Sequence, residues 1–148
     1  MADKIVEKLT SEGIDITFNR EPKNVTEKLA YKTSFIDTGG LLPPNMLKDS
    51  GPTMKLLTSE ATRIELSKRR EPMPFWHRNM DFDEVIICIS GEATWATETG
   101  EFHLKPGTMI HIPRGVSHTV VAKKGTDYTA IEIKSAAKLD VNPDLRRD

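Results

Sequence analysis

Two histidines and one carboxylate in this chain stand beside turns that could bring them together: His77, Glu84 and His118. His77 opens the run His77-Arg78-Asn79-Met80-Asp81-Phe82-Asp83-Glu84, which leads into the apolar stretch Val85 to Ile89 and then Gly91. His118 closes the run that starts at Gly107 and passes through Ile112-Pro113-Arg114-Gly115. Imidazole plus carboxylate is the donor set used by non-haem Fe(II) and related divalent metals. Convergence of these three side chains would make a metal site and point to an enzyme.

The local sequence favours that convergence. On a strand, His77 and Asn79 face one side, and Met80 to Asp83 can turn the chain so that Glu84 returns beside His77. Beyond it, Ile86 and Cys88 share the face of Glu84, while Val85, Ile87 and Ile89 take the other. Both faces are apolar, so the strand is central, and a carboxylate at its head is costly unless paired or bound to a cation. Pro113 cannot donate to a ladder and marks a strand end. Gly115 supplies a positive φ for a tight turn, which presents His118 at a fixed place. The competing readings are two ordinary polar histidines near a barrel mouth, and a Glu84 paired with Arg63 or Arg78.

The elements that must position these residues are short and β-type. Met54–Leu57, Ala61–Leu66, Phe75–Asn79, Glu84–Ile89, Ala93–Thr97, Glu101–Leu104, Thr108–Ile112, His118–Ala122 and Tyr128–Ile133 read as strands. Ser90-Gly91, Thr99-Gly100, Pro106-Gly107, Arg114-Gly115 and Gly125-Thr126 read as turns. Many short strands at close spacing predict an all-β sandwich or barrel. Before them, residues 1–53 read as a short amphipathic helix (Ala2 to Ser11, ended near Gly13), a strand at Ile14–Phe18, a second helix at Thr26–Tyr31 and an irregular arm rich in Gly and Pro. Residues 54–134 are the β domain. Residues 135–148 are a charged tail, expected at the surface or frayed.

The 148 residues suit one domain, with 37% hydrophobic content and a net charge of -1. Neither nucleic acid nor an anionic membrane is suggested as a partner; a small-molecule substrate is. The densest basic run, Lys68-Arg69-Arg70, reads as a solvated loop. The single cysteine, Cys88, excludes an intrachain disulfide and reads as a small buried hydrophobe. With no signal-like or membrane-spanning apolar run, the expected location is cytoplasmic.

Other residues carry weaker expectations. His111 reads as a core histidine or one that supports a ligand, and His103 as exposed or structural. Phe75 and Trp76 read as core packing, with Trp76 or Trp95 as an alternative pocket wall. Phe82 could cover the site. Arg114 reads as a solvated turn residue or as a bidentate partner of a substrate carboxylate. Asp81 and Asp83 read as surface charges of the turn, with a spare metal ligand as the alternative for either.

At these residues the chain resembles the cupin family. Its first motif has the form G-x5-H-x-H-x(3,4)-E-x6-G, and here His77, Asn79, Glu84 and Gly91 stand at that spacing. The second has the form G-x5-P-x-G-x2-H-x3-N, matched by Gly107, Pro113, Gly115 and His118. The departures are Arg70 or Glu71 at the opening glycine, Asn79 at the second histidine and Ala122 at the terminal Asn. The His77-Arg78-Asn79 segment further resembles the iron segment of homogentisate dioxygenases, cupins that carry Asn at that position.

The resemblance implies a double-stranded β-helix (a jelly-roll barrel) preceded by a short N-terminal helical arm. It implies metal ligation by His77, Glu84 and His118, with Fe(II) first and Mn, Ni or Zn as alternatives. Asn79 would orient a bound water, oxygen or substrate rather than ligate. It also implies a homodimer, to whose partner the stretch Thr33–Pro52 could cross. The leading functional expectation is a non-haem Fe(II) dioxygenase of a small aromatic or organic acid, with Asn79 and Arg114 as further site residues. The alternatives are an O2-independent metal-dependent isomerase or lyase, and a non-catalytic small-ligand-binding module.

Overall fold

The computed structural model describes residues 7–8, 11–13 and 33–145. The chain divides into two compact units, residues 1–35 and 36–148. In the first, Glu7, Lys8 and Ser11 are helical, the Glu12 amide donates to the Lys8 carbonyl, and Gly13 leaves the helix with φ 77°. The expected strand at Ile14–Phe18 and helix at Thr26–Tyr31 lie outside the described residues. Among the described residues, no helix is long and apolar enough to cross a membrane.

Among the described residues the second unit holds one α-helical turn, α1 (Pro44–Leu47), a 3-10 turn (Pro143–Leu145) and eight strands: β1 (Met54–Thr58), β2 (Thr62–Arg69), β3 (Asp83–Ser90), β4 (Ala93–Thr97), β5 (Gly100–Leu104), β6 (Met109–Ile112), β7 (His118–Ala122) and β8 (Tyr128–Ser135). They form two antiparallel sheets, ordered β1-β2-β8-β3-β6 and β5-β4-β7. Ile86, Cys88, Trp95, Ile112, Val120 and Tyr128 belong to one buried cluster drawn from both sheets. The Trp95 indole N–H donates to the Tyr128 hydroxyl at 3.0 Å and ties the sheets across that core. The all-β expectation holds.

Register decides which side chains share a face, because directly opposed residues in an antiparallel pair point the same way. Glu65 opposes Glu132, and Arg69 opposes Tyr128. Lys134 opposes Glu84, and Glu132 opposes Ile86. The inner face of the large sheet is therefore polar at the His77 end and apolar toward Cys88 and Ala130.

Two expectations need correction. Phe75–Asn79 is no strand: preceded by Pro72 and Pro74, it makes a single bridge, between His77 and His118. Lys68 and Arg69 are not in a solvated loop; β2 runs through them, and they are 9% and 3% exposed. The Lys68 ammonium donates to the carbonyls of Thr38, Gly39 and Leu41, and an Arg69 guanidinium N–H donates to the carbonyl of Asp49. Those bonds, with buried Asn45 donating to the Ser67 hydroxyl, hold residues 38–49 on the chain's own β2. The tail lies at the surface, exposed at nearly every described residue after Ser135, and its start is pinned: the Leu139 amide donates to Asp83, and Arg114 donates to the Ala136 carbonyl.

Candidate metal centre

Two backbone hydrogen bonds place the histidines. The His77 amide donates to the His118 carbonyl at 3.0 Å, and the His118 amide to the His77 carbonyl at 2.8 Å. Reciprocal bonding puts both side chains on one face, and their rings stand 4.3 Å apart between centroids. The turn between His77 and Glu84 is built by Asn79. Its side-chain oxygen accepts from the amides of Asp81 and Phe82, and its side-chain nitrogen donates to Glu84 at 2.9 Å. An Asn that bonds the backbone two or three residues on is a standard turn builder. The Asn79 carbonyl accepts from Gly115, whose φ is 84°, so the second turn locks onto the first.

His77, Glu84 and His118 each offer one donor atom, all within 4.8 Å of one another. Glu84 and His118 are buried, and His77 is half-buried. His118 Nδ1 lies 3.0 Å from the Val116 carbonyl. Only a protonated Nδ1 can use that acceptor, so a neutral His118 aims the Nε2 lone pair at the site. Nε2 stands 3.4 Å from a Glu84 carboxylate oxygen and has no hydrogen-bond partner among the described residues; nor does the buried His77 Nδ1. Buried polar atoms normally find partners. Two orphaned imidazole nitrogens beside one carboxylate are what a divalent cation would satisfy, and the donor set fits such an ion.

The electrostatics agree. Burial, helped by the neighbouring His118, pushes the His77 imidazole down to about 4. At His118 burial works against the charge, but Glu84 and the Val116 carbonyl outweigh it, and its value rises. At Glu84 burial is likewise outweighed, by His118 and Asn79, and its carboxyl lies below the usual range. Near neutral pH the centre therefore offers an ionised carboxylate and an unprotonated His77, the states a metal requires, while His118, shifted up, must give up its proton to an incoming cation.

The cavity in front of the triad has a volume of about 260 Å³ and is lined also by Phe75, Trp95, Arg69, Glu132 and Lys134. Phe75 stands edge-on to His77, with ring centroids 5.8 Å apart. Phe75 and Trp76 are thus not core: both are exposed, and Phe75 lines the cavity while Trp76 does not. Of the two tryptophans, Trp95 is the wall. Phe82 lies under the Arg63 guanidinium, 4.7 Å from the ring centroid, and is not a lining residue. With Arg63 there and Glu84 on Asn79 and His118, no Glu84 pair with Arg63 or Arg78 forms.

Arg114 and His111 line a different cleft, with Asp83. Asp83 is no surface charge: it is 2% exposed. It accepts from the Arg114 amide and guanidinium and from the Leu139 amide. Arg114 is thereby committed outside the triad's cavity. His103 is exposed beside Glu92, as its sequence position suggested.

The sequence reading missed Arg69, Glu132 and Lys134. Lys134 donates to the buried Glu65 at 2.7 Å. Burial pushes Glu132 up against the pull of Lys134, with Glu84 adding to the rise. The available signal was alternation: Glu132 and Lys134 share a face with Tyr128 and Ala130, both fully buried.

Comparison with known proteins agrees with this fold. Residues 63–134 match the Cupin domain family. A protein of Saccharolobus solfataricus, provisionally named a dioxygenase, is 36% identical over 73 residues, covering 49% of this chain but only 18% of that protein. The crystal structure of a cupin-2 domain protein from Shewanella frigidimarina superposes with a TM-score of 0.50 at 26% identity, covering 57% of this chain and 79% of that one. A protein of Ralstonia eutropha, provisionally named a mannose-6-phosphate isomerase, superposes with a TM-score of 0.50 at 25% identity, covering 58% of this chain and 84% of its own.

Proposed function

Because this chain belongs to the cupin superfamily and closes two imidazoles and a carboxylate around one point, we propose that it is a metal-dependent enzyme, a non-haem Fe(II) dioxygenase of a small organic acid. The observation that carries the reading is the His77–Glu84–His118 cluster with its orphaned nitrogens. Three protein donors leave up to three positions of an octahedral ion open, room for substrate and O2 side by side. Bound there, iron would supply Lewis-acid polarisation and electron transfer to O2; Mn, Ni or Zn would supply the first of these.

The chain's own residues set the stage for that chemistry. His118 is held by Val116, and Glu84 by Asn79. The role of Asn79 in this reading is to position Glu84, its amide nitrogen being engaged there. Phe75 and Trp95 wall the cavity and limit water around the reacting groups. The likeness to a provisionally named dioxygenase supports the oxidative reading over a short span.

A second reading, an O2-independent isomerase, has its support in the Ralstonia eutropha relative. Elemental analysis of anaerobically purified protein, followed by oxygen-electrode assays on small aromatic and aliphatic acids, separates the two. Iron removed by His77→Ala or Glu84→Ala, with substrate-dependent O2 uptake, is the expected outcome. Turnover that persists without O2 would sink the dioxygenase and favour the isomerase. Absence of any metal sinks both.

We also propose a homodimer. Val85, Ile87, Ile131 and Ile133 are only half-buried on the outer face of the large sheet, an apolar surface suited to a second copy. Sedimentation of the full chain tests it, and a monomer at micromolar concentration would refute it.

A further inference from the structure

Arg69 is a second unsatisfied group on the wall of the same cavity. It is 3% exposed, and its Nε–H is buried with no hydrogen-bond partner among the described residues. One terminal nitrogen is fixed by the Asp49 carbonyl, so the guanidinium is held in place rather than free to swing toward solvent. A buried guanidinium N–H without an acceptor is costly. An arginine left that way at a cavity wall has the shape and charge to receive an anion, most naturally a planar carboxylate.

The charge balance of the cavity points the same way. Around it stand three carboxylates, Glu84 and Glu132 in the wall and Glu65 beyond it, paired with Lys134, against the wall's two permanent cations, Arg69 and Lys134. A divalent ion on the triad converts one excess negative charge into one excess positive charge. Protonation of Glu132, whose acidity burial lowers, would make that excess larger. Uncompensated charge behind Phe75 and Trp95 is unfavourable, and an anionic ligand removes it. The volume, about 260 Å³, lies below the range of roughly 300–1,000 Å³ usual for drug-sized ligands. The ligand is therefore small.

We propose that Arg69 is the substrate-anchoring residue of this cavity and that it selects a small monocarboxylic acid over neutral analogues of the same shape. The proposal rests on the metal-dependent reading of the triad and adds the substrate's charge and the residue that reads it. Arg69 receives the carboxylate through Nε–H. The metal side of the cavity receives the remainder of the molecule.

The test is calorimetric titration of the Mn(II)-loaded full chain with benzoate and lactate, each against its amide, and with inorganic phosphate. Each acid is expected to bind roughly 10- to 100-fold more tightly than its amide, the range spanned by one charge-assisted hydrogen bond. In Arg69→Gln the ratio should fall to within about twofold, with Mn(II) uptake unchanged. A purely structural Arg69 would weaken acid and amide alike and leave the ratio standing. Acids that bind no better than amides, no binding of either, tighter binding of phosphate, or a ratio that survives Arg69→Gln would each overturn the proposal. If Arg69→Gln fails to fold, Arg69→Met replaces it: it keeps the packing of the aliphatic stem but loses the charge, and an unchanged ratio there also overturns the proposal. Failure of the metal reading is separate, since it shows as wild-type protein that takes up no Mn(II). The same acid–amide ratio measured without Mn(II) then decides on Arg69 alone.

Discussion

Asp83 and Glu84 are neighbours at the head of β3, equally buried at 2% exposure, yet they face opposite sides and live differently. Asp83 accepts from two backbone amides and a guanidinium, all supplied by the chain. Burial opposes its charge, but those donors more than offset it and hold the carboxyl far below the usual range. Glu84 has one amide donor at 2.9 Å and an imidazole at the slack distance of 3.4 Å, beside a second imidazole with its own orphaned nitrogen. A buried carboxylate whose partners are all internal joins pieces of the fold: here the turn at Arg114 and the start of the tail. One that stands with two imidazoles, the donor atoms of all three within 4.8 Å of one another, is a site awaiting something from outside; Asp83 has the single imidazole of His111, 3.6 Å away.

The sharpest way to break this contrast is to change each carboxylate to its amide. Asp83→Asn removes a buried charge from three donors and should destabilise the fold by roughly 2–4 kcal/mol, read as a lower midpoint in urea, while metal content per folded molecule stays at the wild-type level. Glu84→Gln should do the reverse. Metal affinity should fall by more than the roughly 100-fold loss that an outer-sphere partner can cause, with metal-free stability within about 1 kcal/mol of wild type. Equal metal loss in both variants would erase the distinction between the two faces.

Much of this was legible in the sequence, for a physical reason. The triad sits at turns, and turn chemistry is local: Asn79, Pro113 and Gly115 announce where the chain reverses. Asp83 was misread because its partners, Arg114 and Leu139, are far along the chain and only the fold brings them near. Arg69, Glu132 and Lys134 were hidden more deeply. Alternation in β2 and β8 says which residues share a face but not which face is inside, and the usual rule sends charges out. Here the charged face turns inward, and Leu66 is buried on the other one.

Acidification probes the Glu84 side selectively. The His77 value, about 4, lies below that of a free imidazole. As the pH falls from about 6.5 towards 4, the unfolded chain therefore gains a proton that the folded one does not, and stability falls with pH. His118, shifted upward, acts oppositely: its contribution is complete below about 6.5 and is lost as pH rises through its raised value. Between pH 6.5 and 4 only His77 of the pair contributes a slope in metal-free protein. His77→Gln should flatten it, measured by urea unfolding at each pH. A slope that persists in the variant would move its origin to the carboxylates.

The smallest effect belongs to Asn79, which joins turn and ligand. Asn79→Ala removes the cap on the Asp81 and Phe82 amides and the donor to Glu84. A lost side-chain-to-backbone cap costs about 1 kcal/mol. The freed carboxylate should lower metal affinity by roughly tenfold, the weaker end of what outer partners contribute. Asn79→Asp separates the two roles. Its oxygen can still cap the turn, so stability should recover, but it places a carboxylate against Glu84 where an N–H donated. If Asn79→Asp restored both stability and metal affinity, the amide of Asn79 would matter only to the turn, and Glu84 would be positioned by β3 alone.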